Sequence, residues 1–439
     1  MAKFHHFGVP TRDQHEGEMH IEGAKVYVTD PEQHPYNVEF VRCEPDCPMP
    51  EIIQTTPHAG FVVDDLEAAV EGQEVVLPIT AIDESLSIAF IKDGDALLEL
   101  MQGETPKKKK WINEPENVVQ ELLEGMVLAN QGTIKLEGSN LVVRATPKPD
   151  DKVAIVTLGG SGHEPALSGY VGEGMLDISV PGEIFAAPGR PRVIEALRSV
   201  NRDAGVLFVV LNHAGDVLTA NMVMKMVEKE GLNVKQVLTH EDISDDDPAD
   251  GPPERRGLSG CLIVIKCAGA AAEAGRSLDE VVAIAQRVQD NMATLAVATS
   301  AATHPSTGDV IAEVPEGQMC VGMGQHGEAG GGMQEMKTAD ETADIMLPLL
   351  LADRGIEAGD KVLVMINGVG STTLMEQYCV LRRCKQLLDE RGIEMVDALC
   401  GEFLTVQEMG GFQMVVCKMD DELVELWKAP CDTPALTVK

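Results

Sequence analysis

Three glycine-flanked turns in the sequence carry side chains that can perform nucleophilic or acid–base chemistry. The first, GGSGHEP at 159–165, follows the apolar run 153–158, which predicts a buried strand. Glycine has no Cβ, so its backbone can approach a ligand closely. The residues of this turn that we predict to bind a substrate are Gly160, Ser161, Gly162 and His163.

The other two turns carry Asp216 and His326. Asp216 closes LNHAGD at 211–216, directly after a second apolar run, and His326 is enclosed by glycines at 321–330. Open α/β sheets bind ligands at the carboxyl ends of their strands, so His163, Asp216 and His326 are predicted to converge in one pocket as nucleophile, base and orienting group. Taken singly, Asp216 could instead cap a helix, and both histidines could be ordinary loop residues.

Residues 1–103 predict short strands with one helix, in two sets that look like a degenerate duplication. Each set opens with a histidine-bearing strand and closes with a glutamate-bearing strand. The candidate ligands of a divalent metal are His6, Glu39, His58 and Glu99. Two imidazoles and two carboxylates make a mixed N/O site that leaves positions open for substrate. The alternative is a vestigial fold with these side chains on solvated strands.

This pattern resembles the vicinal-oxygen-chelate (glyoxalase-like) family, whose paired βαβββ units hold a metal with the same ligand order. The resemblance implies a small α+β domain at 1–103 with the four ligands above. One departure is the polar, irregular segment 11–20, where the first unit is expected to lack its helix.

A second resemblance covers residues 112–439. GGSGHEP, GYVGEGML, PGEIF, NHAGDV, the AGAAAE helix, the HGE turn and the terminal DTPAL are together similar to the substrate-binding (K-type) subunit of the dihydroxyacetone kinase family. This implies a two-lobed α/β fold with mixed sheets and a homodimer. We expect a linker at 104–116, a first lobe at 117–300 and a second lobe at 301–439 that carries the covalent histidine.

The same resemblance implies roles for three residues. His326 attacks the ketone carbon of the substrate and forms a covalent hemiaminal. Asp216 is the general base on the hydroxyl that is phosphorylated, and His163 hydrogen-bonds the substrate. Covalent capture would select short ketoses with an unhindered carbonyl and reject glycerol, which has none.

Two features depart from this family. A substrate-proximal lysine is replaced by Leu211, so the ketose could be dihydroxyacetone or a four-carbon analogue such as erythrulose. The sequence also has no GxxxxGK[ST] loop, so we expect ATP or ADP to be supplied by a partner, the L-type nucleotide-binding kinase subunit.

Composition narrows the function classes. A formal charge of -36 argues against nucleic-acid binding. The sequence has no bilayer-length apolar run, and its ten cysteines are scattered, which indicates a reduced, cytoplasmic protein without a membrane partner. The basic run 107–110 is expected to be solvated, with docking to an acidic partner as the alternative.

Three functions stay open at this stage. The first is phosphorylation of a small ketose together with a nucleotide-bearing subunit. The second is a non-catalytic paralogue that senses the ketose and acts on a partner protein, although such a protein would not need Asp216 as a base. The third is a metal-dependent isomerase or epimerase reaction in the N-terminal domain.

Overall fold

The computed structural model describes residues 3–15, 17–21, 24–63, 65–82, 86–103, 110–244, 255–325, 327–328 and 330–439. The predicted covalent residue His326 and the lysines at 107–109 lie outside this set. The chain divides into two compact units, residues 1–109 and 110–439. Among the helices described, none is both long enough and apolar enough to cross a membrane.

The N-terminal unit is one eight-stranded sheet with two short helices. Its elements are β1 (Lys3–Pro10), β2 (Met19–Ile21), β3 (Val26–Val28), β4 (Val38–Cys43), α1 (Glu51–Thr55), β5 (His58–Val62), α2 (Leu66–Val70), β6 (Glu74–Ala81), β7 (Leu86–Asp93) and β8 (Ala96–Gly103). The strands follow the order β2-β3-β4-β1-β5-β8-β7-β6.

This strand order is symmetric about its central β1/β5 pair. β1 pairs in parallel with β4, β5 pairs in parallel with β8, and β1 and β5 are antiparallel. The register repeats as well, because Gly8 lies opposite Glu39 in one half and Gly60 lies opposite Glu99 in the other. A duplicated unit would produce this repetition.

The two halves differ in the segment after their first strand. In the second half, α2 begins after Asp65, whose side chain accepts a hydrogen bond from Ala68 N at 3.0 Å. Leu66 then packs against Ala89 and Ile91 on one face of the sheet. In the first half, the described residues of 11–18 form bends and turns without a helix, as their polar sequence predicts.

The C-terminal unit contains two six-stranded sheets. Its helices and principal strands are α3 (Val118–Ala129), β9 (Ile134–Glu137), β10 (Leu141–Arg144), β11 (Ala154–Ser161), β12 (Ile178–Ile184), α4 (Arg190–Ser199), β13 (Val206–Leu211), α5 (Ala214–Glu230), β14 (Val234–Thr239), α6 (Cys261–Glu273), α7 (Leu278–Asn291), β15 (Met292–Ser300), β16 (Ala302–Thr303), β17 (Val310–Ile311), β18 (Gln318–Val321), β19 (Gly332–Glu335), α8 (Ala339–Asp353), β20 (Lys361–Gly368), α9 (Leu374–Glu390), β21 (Glu394–Gly401), β22 (Gly410–Met419), α10 (Asp421–Lys428), β23 (Cys431–Asp432) and β24 (Thr437–Val438).

These elements stack as alternating helical and sheet layers. The first sheet, β14-β13-β11-β12-β10-β9, packs one face on α4 and α5. Its other face packs on α6 and α7, which also cover the second sheet, β19-β18-β15-β22-β20-β21. Helices α8 and α9 cover the far face of that sheet. Both sheets contain parallel and antiparallel pairs, so the predicted mixed α/β fold is confirmed.

Two predicted boundaries need correction. The lobe boundary at 300/301 assigns β15 to the first lobe, yet β15 pairs with β18 and β22 in the second sheet. The predicted linker 104–116 also reaches into the C-terminal unit. There Lys110 Nζ donates to Gln407 Oε1 at 3.1 Å and Glu408 Oε2 at 2.7 Å, so this lysine of the basic run is paired within the chain.

Helix α6 packs closely through its small residues, as AGAAAE predicts. A Cβ at Gly269 would overlap the carbonyl oxygen of Gly174 and lie 2.6 Å from Met175 Cα. We therefore expect Gly269→Ala to lower the free energy of unfolding by about 1–3 kcal/mol through overpacking. The measurement is urea denaturation followed by circular dichroism.

Gly125 in α3 is the matched control, because a Cβ there would meet nothing within 4 Å. Gly125→Ala should raise stability by about 0.5–1 kcal/mol, since alanine is the better helix former. Equal effects of the two variants would contradict the close approach at Gly269.

Candidate functional sites

The candidate active site lies where two neighbouring strands of the first sheet end. β11 and β13 pair in parallel, so the turn after β11 and the start of α5 after β13 meet at one edge of the sheet. A cavity of about 240 Å³ opens there. Its walls are Gly159, Gly160, His163, Ala166, Leu167, Phe185, Ala187, Leu211, His213, Ala214, Gly215, Asp216, Gln325, Glu328 and Leu404. His163 and Asp216 therefore line the same cavity, whereas the predicted third member, His326, lies outside the described residues.

Two of the predicted substrate-binding residues do not line this cavity. The hydroxyl of Ser161 is buried and donates to Gly182 O at 2.8 Å. Gly162 has a φ of +100°, which favours glycine, and its N–H donates to Glu164 Oε1 at 3.0 Å. Ser161 and Gly162 thus shape the turn, whereas Gly160 and His163 face the cavity.

The ring of His163 is held by backbone and by an aromatic neighbour. Its Nδ1 lies 2.7 Å from Thr405 O, and because a carbonyl oxygen can only accept, this nitrogen carries a proton and donates it. The Phe185 ring centroid is 4.9 Å away. His163 is only 5% exposed, so contacts with the protein, and not with solvent, orient its imidazole ring.

The loop between β21 and β22 contributes Thr405, which forms three hydrogen bonds with the turn that carries His163 and Glu164. We call this set of bonds the Thr405 clamp. Thr405 N donates to His163 O at 3.1 Å, and Thr405 Oγ1 donates to Glu164 O at 2.8 Å. Asn367 at the end of β20 fixes the loop, since its side chain accepts from the backbone N–H groups of Phe403 and Leu404 at 2.7 and 3.0 Å. No local sequence signal pairs Thr405 with a turn more than 200 residues earlier.

Asp216 lies in the first turn of α5 and is 8% exposed. The residue at the N-cap is His213, so the alternative interpretation of Asp216 as a helix cap is wrong. His213 Nε2 lies 2.8 Å from Gly257 O and 2.7 Å from Gln325 Nε2. His213 and Gln325 add polar groups to the cavity wall that the sequence analysis did not assign.

Burial perturbs one acid beside this cavity. It raises the pKa of the Glu164 carboxyl, although the N–H of Gly162 opposes the shift. Glu164 itself does not line the cavity, whose wall contributes His163, His213 and Asp216, side chains suited to proton transfer.

The predicted metal ligands of the N-terminal unit also converge. One ligand atom from each of His6, Glu39, His58 and Glu99 lies within 4.8 Å of the others. His6 Nε2 lies 3.4 Å from Glu39 Oε2 and 3.2 Å from Glu99 Oε2. His58 Nε2 lies 3.2 Å from Glu99 Oε2.

The donor set fits a divalent ion. His6 Nε2 is buried and forms no hydrogen bond of good geometry among the described residues, although it faces both carboxylates. Burial raises the pKa of Glu39 to about 7. Burial acts in the same direction on Glu99, but the neighbouring imidazoles of His58 and His6 outweigh it and hold the pKa of Glu99 at about 2. The cluster therefore places one ionised carboxylate, Glu99, and one carboxyl that can gain or lose its proton near neutral pH, Glu39, beside two imidazoles.

Each histidine occupies space that a glycine of the other half provides. A Cβ at Gly60 would overlap the ring of His6, and a Cβ at Gly8 would overlap the ring of His58. The cluster borders a cavity of about 170 Å³ within this unit.

Comparisons with known proteins match the C-terminal unit. The model of the Dak1 domain matches residues 124–435. The dihydroxyacetone-binding subunit DhaK of PTS-dependent dihydroxyacetone kinase 1 from Listeria innocua is 36% identical over 329 residues, covering 74% of this chain and 99% of that subunit. L-erythrulose kinase from Pectobacterium atrosepticum is 37% identical over 328 residues, covering 74% of this chain and 55% of that enzyme.

A solved structure adds a relative with a different role. The dihydroxyacetone kinase operon co-activator DhaQ superposes with a TM-score of 0.68 at 29% identity, covering 74% of this chain and 98% of that one. The match to the domain model spans more than two-thirds of the sequence, and the Listeria subunit is matched over almost its whole length. The chain therefore belongs to the Dak1 domain family, that of the dihydroxyacetone-binding subunits of dihydroxyacetone kinases.

Proposed function

We propose that the C-terminal unit is the ketose-binding subunit of a dihydroxyacetone-type kinase. The observation that carries this proposal is the cavity in which β11 and β13 bring His163 and Asp216 together in a member of this family. The substrate is a short ketose, dihydroxyacetone or a four-carbon analogue such as erythrulose. The phosphoryl group comes from a nucleotide held by an L-type partner subunit.

The chemistry uses three residues. A ring nitrogen of His326 bonds to the ketone carbon, the carbonyl electron pair moves to oxygen, and the proton lost from the imidazole is transferred to that oxygen. The resulting hemiaminal fixes the substrate, which lowers the entropic cost of the next step. Asp216 takes the proton of the terminal hydroxyl as its oxygen bonds to phosphorus and the leaving group departs on the partner. His163 orients the substrate from the Thr405 clamp.

Covalent capture gives the first test. Native mass spectrometry of the whole chain with dihydroxyacetone or erythrulose should show an adduct of one ketose mass. Carbon-13 NMR of ketose labelled at the carbonyl should show loss of the ketone signal. His326→Ala should abolish both signals, whereas His240→Ala should retain them, because His240 does not line the cavity. A folded wild-type chain that forms no adduct with any small ketose would refute the mechanism.

Asp216→Asn separates a kinase subunit from a ketose sensor. In a kinase the variant keeps the adduct but loses phosphorylation with an L-type subunit by about 10²–10⁴-fold, the usual contribution of a general base. If the wild-type chain binds the ketose yet no L-type subunit supports phosphorylation, the sensing function is correct instead.

Leu211 is proposed to set substrate preference. It ends β13, is 3% exposed and lines the cavity, where a leucine offers no hydrogen bond to a substrate hydroxyl. Leu211→Lys adds a donor, so we expect the ratio of dihydroxyacetone to hydroxyacetone affinity to rise by about tenfold or more. Hydroxyacetone lacks one of the two hydroxyls, and both affinities can be measured by titration calorimetry.

Leu218→Lys is the matched control, because Leu218 is 58% exposed on α5. Leu211→Gln supplies a neutral donor if the buried lysine prevents folding. An unchanged ratio in folded Leu211→Lys and Leu211→Gln would show that Leu211 does not select the substrate.

For the N-terminal unit we propose a glyoxalase-like (vicinal-oxygen-chelate) domain at residues 1–103 whose metal is held by His6, Glu39, His58 and Glu99. Their clustered ligand atoms support this second function. A bound divalent ion would supply Lewis-acid polarisation of a ligand oxygen. The four side chains leave coordination positions for that ligand and hold it near the cavity that they border.

Metal binding should depend on the glycines that make room for the histidines. The metal-free chain should bind one Co²⁺ with a visible d–d spectrum, and Gly60→Ala should weaken binding by about 100-fold because its Cβ displaces the His6 ring. Gly125→Ala in α3 is the control, since a Cβ there meets nothing within 4 Å and the residue is helical. Equal Co²⁺ affinity of Gly60→Ala and wild type would contradict this ligand set.

A further inference from the structure

We propose that the ligand of the N-terminal metal site carries an apolar body of about the size of a phenyl ring and is not the ketose bound by the C-terminal unit. This inference rests on the metal site proposed above. It concerns the cavity of about 170 Å³ that the four metal ligands border.

The wall of this cavity is apolar away from the metal ligands. Hydrophobic side chains come from both halves of the sheet and from α1, and six of them are Val26, Val41, Ile53, Ile88, Phe90 and Met101. All six are less than 9% exposed. Apart from the four ligands, the polar side chains of the wall are those of His5 and Cys43. Burial raises the pKa of the Cys43 thiol to about 12, so it adds no charge near neutral pH.

Strand alternation explains this division. Leu97, Glu99 and Met101 share one face of β8, while Leu98 and Leu100 pack on the opposite face beneath α2. The carboxylate of Glu99 is therefore flanked by apolar side chains. Polar groups cluster at the proposed ion, and the remaining wall offers a ligand few hydrogen bonds.

A small sugar fits this wall poorly. Each substrate hydroxyl buried without a partner costs about 5- to 150-fold in affinity. The candidate active-site cavity of the C-terminal unit has a more polar wall, to which four residues contribute polar groups: His163, His213, Asp216 and Gln325. By volume, a cavity of about 150 Å³ lined by aliphatic and aromatic side chains accepts benzene. An oxygen chelator with an aromatic or branched aliphatic body matches both the metal and the wall.

The test compares two chelators that share one metal-binding group. Benzohydroxamate and acetohydroxamate both present a hydroxamate and differ in the apolar body. We expect the Co²⁺-loaded chain to bind benzohydroxamate at least tenfold more tightly than acetohydroxamate. This affinity ratio is divided by the ratio with which aqueous Co²⁺ binds the same two hydroxamates. Changes in the Co²⁺ spectrum report binding, and millimolar dihydroxyacetone should leave that spectrum unchanged.

Met101→Gln keeps the shape of the wall but adds a polar amide, so it should reduce the benzohydroxamate preference by about fivefold or more while Co²⁺ affinity is retained. Met19→Gln is the matched control, because Met19 is 56% exposed. If Co²⁺ binds but the two hydroxamates bind equally, or dihydroxyacetone perturbs the spectrum as strongly, the apolar-ligand inference is wrong and the metal site stands. If the folded chain binds no Co²⁺, the proposed metal function fails, and this inference fails with it.

Discussion

The shape of the candidate active-site cavity depends on the hydrogen bonds that join Thr405 to the glycine-rich turn 159–165. The turn belongs to the first sheet of the C-terminal unit and the Thr405 loop to the second, so the clamp ties the two lobes together. Further bonds reinforce it, because Gln407 Nε2 donates to Gly162 O at 2.9 Å and Tyr170 donates its hydroxyl to Phe403 O. A candidate catalytic histidine on one sheet is thus oriented by backbone that the other sheet positions.

The layered core makes this clamp possible. In β13, Phe208 and Val210 face α4 and α5, while Leu207 and Val209 face the central helices. Helix α6 is buried along almost its whole length because both sheets pack on it. Its one charged side chain before Glu273, Lys266, donates to Leu426 O and Ala429 O at 3.0 and 2.7 Å, which satisfies an ammonium group in an apolar layer.

Sequence alone could predict the strands, the mixed α/β class and the meeting of His163 with Asp216, because apolar runs ending in glycine-rich turns identify strand ends. Sequence alone could not assign β15 to a sheet. An apolar run indicates that a strand is buried, but it does not indicate which strand it pairs with. Nor could sequence alone find Thr405 or His213, whose positions depend on tertiary contacts. Ser161 suits substrate binding by its residue type, but its hydroxyl donates to Gly182 O, a tertiary contact that the sequence does not reveal.

The N-terminal site shows how a duplicated sheet can build one centre from two incomplete halves. Each half contributes a histidine, a glutamate and a glycine, and the antiparallel β1/β5 pair places Gly8 opposite His58 and Gly60 opposite His6. Each ring therefore rests over the glycine of the other half, so neither half alone provides both the donors and the space they occupy. The absence of a helix from the described residues of 11–18 leaves this arrangement intact, because His6, Glu39, His58 and Glu99 lie on the neighbouring strands β1, β4, β5 and β8.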